Sequence, residues 1–364
     1  MSKVHFASAR LKELRADASL PAKFKRMLAE YPMKDMFDGK TVAIKMHLGG
    51  DLGFTTIPPL FVKILVEAVK QAGGKPFVTD GTWSIAAAKD RGYTEEVLGA
   101  PVVPAAGFNE KYYVSVPIGY RSLKEAELCG EIVNAEAMIV FSHGKGHGHC
   151  GWGGAIKNIG MGNVTCSTRG AVHGLSDTTF AWNEAACVHC NLCIDNCPTG
   201  AATFGKGDKL NIFPHHCRYC MHCVTACPER AITIDEHGAR YFQAGMAHVN
   251  KACLDTFEPD RVMYINYVMN VTPICDCWGF STPSFVPDIG ILASKDIVAV
   301  EQASIDTIKT ENFIEGTLPY PLKMDPETPG HLLEKIHHKD PYMQCEELAR
   351  LGLGEQEYEL VEVE

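Results

Sequence analysis

The 364-residue sequence is poor in the features that would direct a chain to a membrane or to nucleic acid. Its first residues, "MSKVHFASAR", hold no apolar run of the kind a secretory leader needs. Nowhere do about 18 apolar residues follow one another, so no membrane span is expected. Positive charge is scarce: 34 Lys and Arg face 44 Asp and Glu, a formal net charge of −10, which works against binding to phosphate backbones. The glycine-rich stretch "GGAIKNIGMG" is neither a Walker loop nor G-x-G-x-x-G, and there is no clear flavin motif. These absences leave a soluble, cytoplasmic protein that binds neither membrane nor nucleic acid as the expectation. The acidity is mostly C-terminal, because residues 311–364 hold 13 Asp and Glu against 4 Lys and Arg. Such a stretch reads as a solvated face, or as a docking surface for a basic partner. A hydrophobic fraction of 46 % is ample for a buried core.

Cysteine is what the sequence has in excess, with 15 in all. In a chain expected to be cytosolic, that number argues for metal rather than disulfides. Residues 187–198 read "CVHCNLCIDNCP" and residues 217–228 read "CRYCMHCVTACP". Each is C-x2-C-x2-C-x3-C-P, and the second copy comes after the first at an interval of 30 residues. This is the bacterial ferredoxin spacing for two [4Fe–4S] clusters, in which the fourth cysteine of each run ligates the other cluster. Cys187, Cys190, Cys193 and Cys227 are therefore expected to hold one cluster, and Cys217, Cys220, Cys223 and Cys197 the second. Paired zinc knuckles do not explain a third cysteine at equal spacing in both copies. His189, His216 and His222 stand beside the ligands and are not needed as ligands themselves.

The flanking segments alternate strand and helix. "TVAIKMH" (41–47), "KPFVTDG" (75–81), "AEAMIVFSH" (135–143), "RVMYINYVMN" (261–270) and "DIGILAS" (288–294) read as strands. "PPLFVKILVEAVKQAGG" (58–74) and "DIVAVEQASIDTIK" (296–309) read as helices, the first opened by prolines and closed by glycines. Residues 241–258 are expected to form a helix, and the tail a further helix and a last strand. The predicted fold is α/β: a mostly parallel sheet with flanking helices, interrupted by an inserted ferredoxin-like α+β module. The core would comprise residues 1–180 and 241–364, with the module at 181–240.

Ligands of open parallel sheets bind beyond the carboxyl ends of the strands. Lys45 and His47 come after the first predicted strand, Asp80 after the second, and "HGKGHGHCGWGGAIKNIGMGNVTC" (143–166) after the third. His143, His147 and His149 with Cys150 are candidate metal ligands. In "GGAIKNIGMG", Lys157 and the glycines could approach an anion, or form a tight turn packed beneath the sheet edge. The fourth strand leads to "TPICDCWGF" (272–280), where Cys275 and Cys277 lie outside the repeat. Cys129, Cys253 and Cys345 lie in helix-like stretches and read as buried apolar fillers. A C-x-C loop can turn two sulfurs toward one metal. Cys275 and Cys277 are thus expected at a third metal or Fe–S centre, with Cys166 as third ligand and Cys150 or a His as fourth. A redox-active dithiol and two inert buried thiols are the competing readings.

"IKMHLGG", "GGAIKNIGMG", the cysteine repeat, "CDC" and "PDIGILASKDIVAVEQASID" together resemble the iron–sulfur-centre proteins of domain-of-unknown-function family 362, over about residues 41–310. That resemblance implies an α/β core with two [4Fe–4S] clusters, of the kind met in anaerobic metabolism. Similar proteins are expected to have a Lys soon after the Cys166 position, and here Arg169 stands in "STRGAVH". The functional expectation is a ferredoxin-linked oxidoreductase. Its clusters would pass single electrons between an external redox protein, a ferredoxin or reductase, and a small molecule at the strand ends. Lys45, His47, Asp80, His143 and Lys157 would line that pocket. A metal or sulfur carrier for maturation and a pure electron shuttle are the alternatives.

Overall fold

Eight extended stretches hydrogen-bond into one sheet: β1 (Ser2–Ser8), β2 (Thr41–Lys45), β3 (Lys75–Asp80), β4 (Val102–Pro104), β5 (Ala137–His143), β6 (Val262–Val268), β7 (Gly290–Ser294) and β8 (Tyr358–Glu362). The computed structural model describes residues 1–177, 179–235 and 237–364. The strand order is β8-β1-β7-β6-β5-β2-β3-β4. All pairings are parallel except those of β7, which runs antiparallel to both β1 and β6. The reversal needs a close backbone approach: a Cβ on Gly290 would stand 2.2 Å from the Ala7 carbonyl oxygen, so only glycine fits.

Strand β5 is buried at all seven positions, as a central parallel strand covered on both faces must be. Each face has its own apolar core. Helices α1 (Leu20–Ala29) and α2 (Pro59–Gln71) cover one side, with Phe24, Met27, Val62 and Leu65 in its core. The other side is covered by α3 (Ala155–Gly162), α4 (Cys166–Asp177), α5 (Gly238–Leu254) and α6 (Ile297–Asp306), and its core includes Ile159, Val172, Phe242 and Val300. Helix α2 joins the parallel pair β2 and β3, a connection that strand direction demands. Its apolar residues at helical spacing face the sheet, and Pro59 starts it where a missing N–H costs nothing.

The cysteine repeat lies between α4 and α5. Residues 180–182 pair with 232–234, and 202–204 with 210–212, all antiparallel. The copies repeat their backbone as well as their sequence. His189 and Asn191 adopt positive φ in the first, as do Tyr219 and Met221 at the same places in the second. In both, the peptide N–H two residues after the first cysteine points to that sulfur, at 3.5 Å from His189 and 3.4 Å from Tyr219.

Some local expectations shift. Helix α5 begins at Gly238 rather than 241. Cys129 ends a strand, Leu123–Cys129, rather than sitting in a helix, and that strand forms a hairpin with Tyr113–Tyr120. It is buried all the same. Among the described residues no helix is long and apolar enough to cross a membrane.

Candidate metal centre at the strand ends

Strands β2, β3, β5 and β6 run parallel, so the residues after each of them gather on one rim. Lys45, the last residue of β2, is fully buried and donates from Nζ to Asp80 Oδ1 at 3.1 Å and Asn158 Oδ1 at 2.7 Å. Gly162, ending α3, makes room for it: a Cβ there would lie 2.5 Å from Lys45 Nζ. The second oxygen of Asp80 accepts from the Leu48 N–H at 2.9 Å and lies 3.4 Å from His47 Nδ1. Burial would push the Asp80 carboxyl up, but the Lys45 ammonium and His47 hold it well below its usual range. The opposite edge of the His47 ring meets the C-x-C turn: Nε2 stands 3.9 Å from Cys275 Sγ.

The C-x-C turn is fixed from its middle. Asp276 is buried and sits 2.9 Å from His143 Nδ1 and 3.1 Å from Lys145 Nζ, with the Thr55 hydroxyl at 3.5 Å. Burial opposes its charge, yet Lys145 and His143 keep the carboxyl well below the ordinary value. Cys275 accepts from Lys157 Nζ at 3.1 Å and from the Cys277 backbone N–H at 3.3 Å. Although burial raises a thiol, the Cys277 S–H and the lysines draw Cys275 well below its usual pKa. Cys277, hydrogen-bonded to that thiolate, is correspondingly raised.

The loop at 48–53 clamps the turn from outside, with Leu52 N–H donating to the Gly279 carbonyl at 2.9 Å. A Cβ on Gly50 would stand 2.4 Å from the Gly279 Cα. Gly50→Ala is expected to cost about 1–3 kcal/mol through this overpacking. A lowered thermal midpoint would register it, and an unchanged midpoint would show the clamp to be slack.

His147 Nε2 lies 4.0 Å from Cys277 Sγ. Among the described residues, His147, Cys275 and Cys277 are the group whose ligand atoms all fall within 4.8 Å of one another. Burial and the nearby Lys157 charge keep the His147 ring neutral, the form that binds metal. Two sulfurs and one imidazole suit a borderline-soft ion such as zinc and leave a fourth position open. His147 and Cys277 line a cavity together with His47, Asp80, Lys145 and Lys157 among others.

A domain-of-unknown-function model, DUF362, matches residues 42–306, which include every site residue just described. The chain belongs to the DUF362 family. None of the curated proteins matches it. Among solved structures it is similar to the lactate racemase apoprotein from Thermoanaerobacterium thermosaccharolyticum, at 12 % identity and a TM-score of 0.37 over 74 % of this chain and 51 % of that one. The likeness thus spans about half the length of that protein.

In this DUF362 chain the third potential ligand comes from His147, and two expected ligands stand elsewhere. Cys166 opens α4 and turns its thiol to Arg169 at 2.6 Å, while its N–H caps onto Glu110 at 2.9 Å. Burial and the Glu110 carboxylate raise that thiol, so it stays protonated. Arg169 itself lines the cavity. Cys150 stands behind His147, with Sγ 3.3 Å from Nδ1 and donating to the Trp152 carbonyl at 3.1 Å. Burial pushes it up to about 12, which makes it a neutral orienting group for the ring rather than a thiolate ligand. His143 faces away from the cavity, between Asp276 and the Met269 carbonyl, and acts by positioning the turn. The glycine-rich segment has no free anion cradle: Glu301 accepts from the Ala155 N–H at 2.5 Å and from the Trp152 indole at 2.9 Å at the start of α3. Lys145 and His215 line the cavity and were not singled out by the sequence pattern.

The eight repeat cysteines divide between two cavities. Cys187, Cys190, Cys193 and Cys227 line one, and Cys197, Cys217, Cys220 and Cys223 line the other. Each set takes three sulfurs from one copy and one from the other. Four soft sulfur donors lining each of two cavities fit an iron–sulfur cluster in each.

Proposed function

We propose that this protein is an iron–sulfur oxidoreductase that exchanges single electrons with a small molecule bound at the strand-end pocket. Cys187, Cys190, Cys193 and Cys227 would hold one [4Fe–4S] cluster, and Cys217, Cys220, Cys223 and Cys197 the second. Such clusters, when bound, store and pass one electron at a time. Cys190 and Cys220 are exposed, which suits approach by an external redox protein.

One observation carries the reading: the second copy of the repeat packs on the C-x-C turn. His216, next to Cys217, stacks on Trp278, next to Cys277, with ring centres 5.9 Å apart and planes at 8°. Phe213 and His215 meet the same indole edge-on, each at 5.9 Å. Lys339 ties the junction from behind, donating to the carbonyls of Gly148 and Cys217, both at 2.6 Å. The cluster ligands and the pocket are thereby joined by packed rings instead of a flexible linker.

The pocket residues have separable tasks. Lys157 stabilises the Cys275 thiolate and offers positive charge to whatever binds beside it. Burial works against a charged His47 ring, but Asp80 and Cys275 outweigh it and raise its pKa above the ordinary value. His47 is thus a proton donor held in place by Asp80, aimed through Nε2 at the Cys275 side of the cavity.

Anaerobically purified protein is expected to contain about eight irons and as many acid-labile sulfides per chain, with paramagnetic resonance of reduced [4Fe–4S] clusters. His47→Ala should keep those signals and their reduction by viologen while losing turnover of small molecules. Absence of labile sulfide would sink the reading. Retention of all activity in His47→Ala would leave a shuttle.

A further inference from the structure

Beside the thiolate group, four imidazoles pack together: His147, His173 and His215 line the cavity, and His149 meets the rings of His173 and His215. The ring centres of His147 and His215 are 5.4 Å apart, those of His149 and His215 4.9 Å, His149 and His173 5.1 Å, and His173 and His215 5.7 Å. They come from three parts of the chain: the 145–153 ribbon, helix α4 and the approach to Cys217. Among the described residues none of the four is ion-paired to a carboxylate, unlike His47 and His143.

The hydrogen bonds of His149 fix its tautomer. The Ser176 hydroxyl spends its one proton on the His173 carbonyl at 2.9 Å. His149 Nε2, 2.6 Å from Ser176 Oγ, must therefore donate. That leaves Nδ1 with a bare lone pair, and Nδ1 is buried without any partner. An unsatisfied buried acceptor costs about 1–3 kcal/mol, so its persistence calls for an explanation. Metal-binding histidines are prepared in the same way, by an acceptor that takes the N–H of one ring nitrogen and so frees the lone pair of the other.

We propose that His149, His173 and His215 bind a second divalent transition metal, separate from the His147–Cys275–Cys277 group, with its remaining position open to solvent. In a tetrahedral site with metal–nitrogen bonds of about 2.0–2.1 Å, ring centres come out roughly 5 Å apart. The three spacings among these rings, 4.9, 5.1 and 5.7 Å, match that. The same three residues line a further, open cavity. Their nitrogens do not yet converge within 4.8 Å, so binding turns the rings of His173 and His215, which are only partly buried, toward His149. Burial keeps both rings neutral, with His173 down to about 4 and His215 to about 3. An all-nitrogen set selects zinc, cobalt, nickel or copper over magnesium or calcium, which demand oxygen.

The test is cobalt(II) titration of anaerobic, cluster-loaded protein. Wild type should take up two cobalt ions beyond its iron, only one of which shows sulfur-to-cobalt charge transfer. Cys275→Ser with Cys277→Ser should abolish that band and keep the nitrogen-ligated ion. His173→Ala with His215→Ala should keep the band and weaken the second ion on the order of 100-fold or more. Removing these two rings leaves the core intact, as removing the buried His149 would not, and unchanged iron content and circular dichroism confirm folding. Equal cobalt uptake by wild type and the double histidine variant overturns the site. So does loss of both ions in the double cysteine variant.

Discussion

Asp276→Asn is expected to cost about 3–5 kcal/mol of unfolding free energy, the penalty for breaking a buried ion pair and stranding its partner. The side chain of Asp276 is 1 % exposed and that of Lys145 4 %. Asparagine keeps the shape and one acceptor oxygen but not the charge, so the Lys145 ammonium, which also donates to the His143 carbonyl at 2.8 Å, loses its carboxylate counter-ion. His143, whose Nδ1 also faces Asp276, loses the same carboxylate. The damage should reach the metal ligands because Asp276 lies between them in the chain. Metal affinity should fall along with stability, even though no ligand atom is removed.

The pH dependence has a definite sign. The folded-state pKa of Asp276 is depressed, so its stabilisation is complete above the unfolded carboxyl pKa of about 4 and fades as pH falls below it. Wild type and Asp276→Asn should therefore differ most at neutral pH and converge in acid. Anaerobic denaturant unfolding at several pH values measures this. A difference below about 1 kcal/mol at pH 7 would mean that the carboxylate is not what holds the turn.

How legible the fold was depended on how local its signals are. Strands β2, β3, β5 and β6 are short apolar runs whose ends carry polar residues, and α2 has its own stops. The direction of β7 was not legible, because it depends on pairing with β1 from the far end of the chain, through a contact only Gly290 permits. The 113–129 hairpin was missed since Tyr113–Tyr120 is mostly exposed and lacks a buried alternation.

The site divides similarly. Chain order alone placed Lys45, His47, Asp80, Cys275 and Cys277 on one rim, because parallel strands present equivalent ends together. Spacing also grouped the repeat cysteines as they line the two cavities. Which additional ligand stands beside the C-x-C turn could not be read that way. Cys166 and His147 both come after β5, and the choice rests on a helix start that turns one sulfur to Arg169 and a ribbon that turns one ring to Cys277. The alternation in "HGKGHGHC" was the available signal, since period two sends Lys145 and His147 to the same face.

Lys45→Met should be as severe, by about 3–5 kcal/mol, and offers a sharper test because the partner can be neutralised as well. The Lys45 side chain is 0 % exposed and Asp80 5 %, so neither charge can reach water alone. Methionine fills the volume but leaves Asp80 with His47 and the Leu48 N–H, and leaves Asn158 Oδ1 without its donor. Adding Asp80→Asn removes the stranded charge. The double variant should regain a substantial part of the lost stability, giving a coupling energy of at least about 1 kcal/mol in the thermodynamic cycle. It should not regain function, because His47 would then lack the carboxylate that orients it toward Cys275. If the two losses simply add, the ion pair is not the source of the stability, and Lys45 acts instead through its contact with Asn158. If the double variant also recovers turnover, the orienting role assigned to Asp80 fails, and His47 must be held by its packing against Trp83, whose ring lies 6.2 Å away.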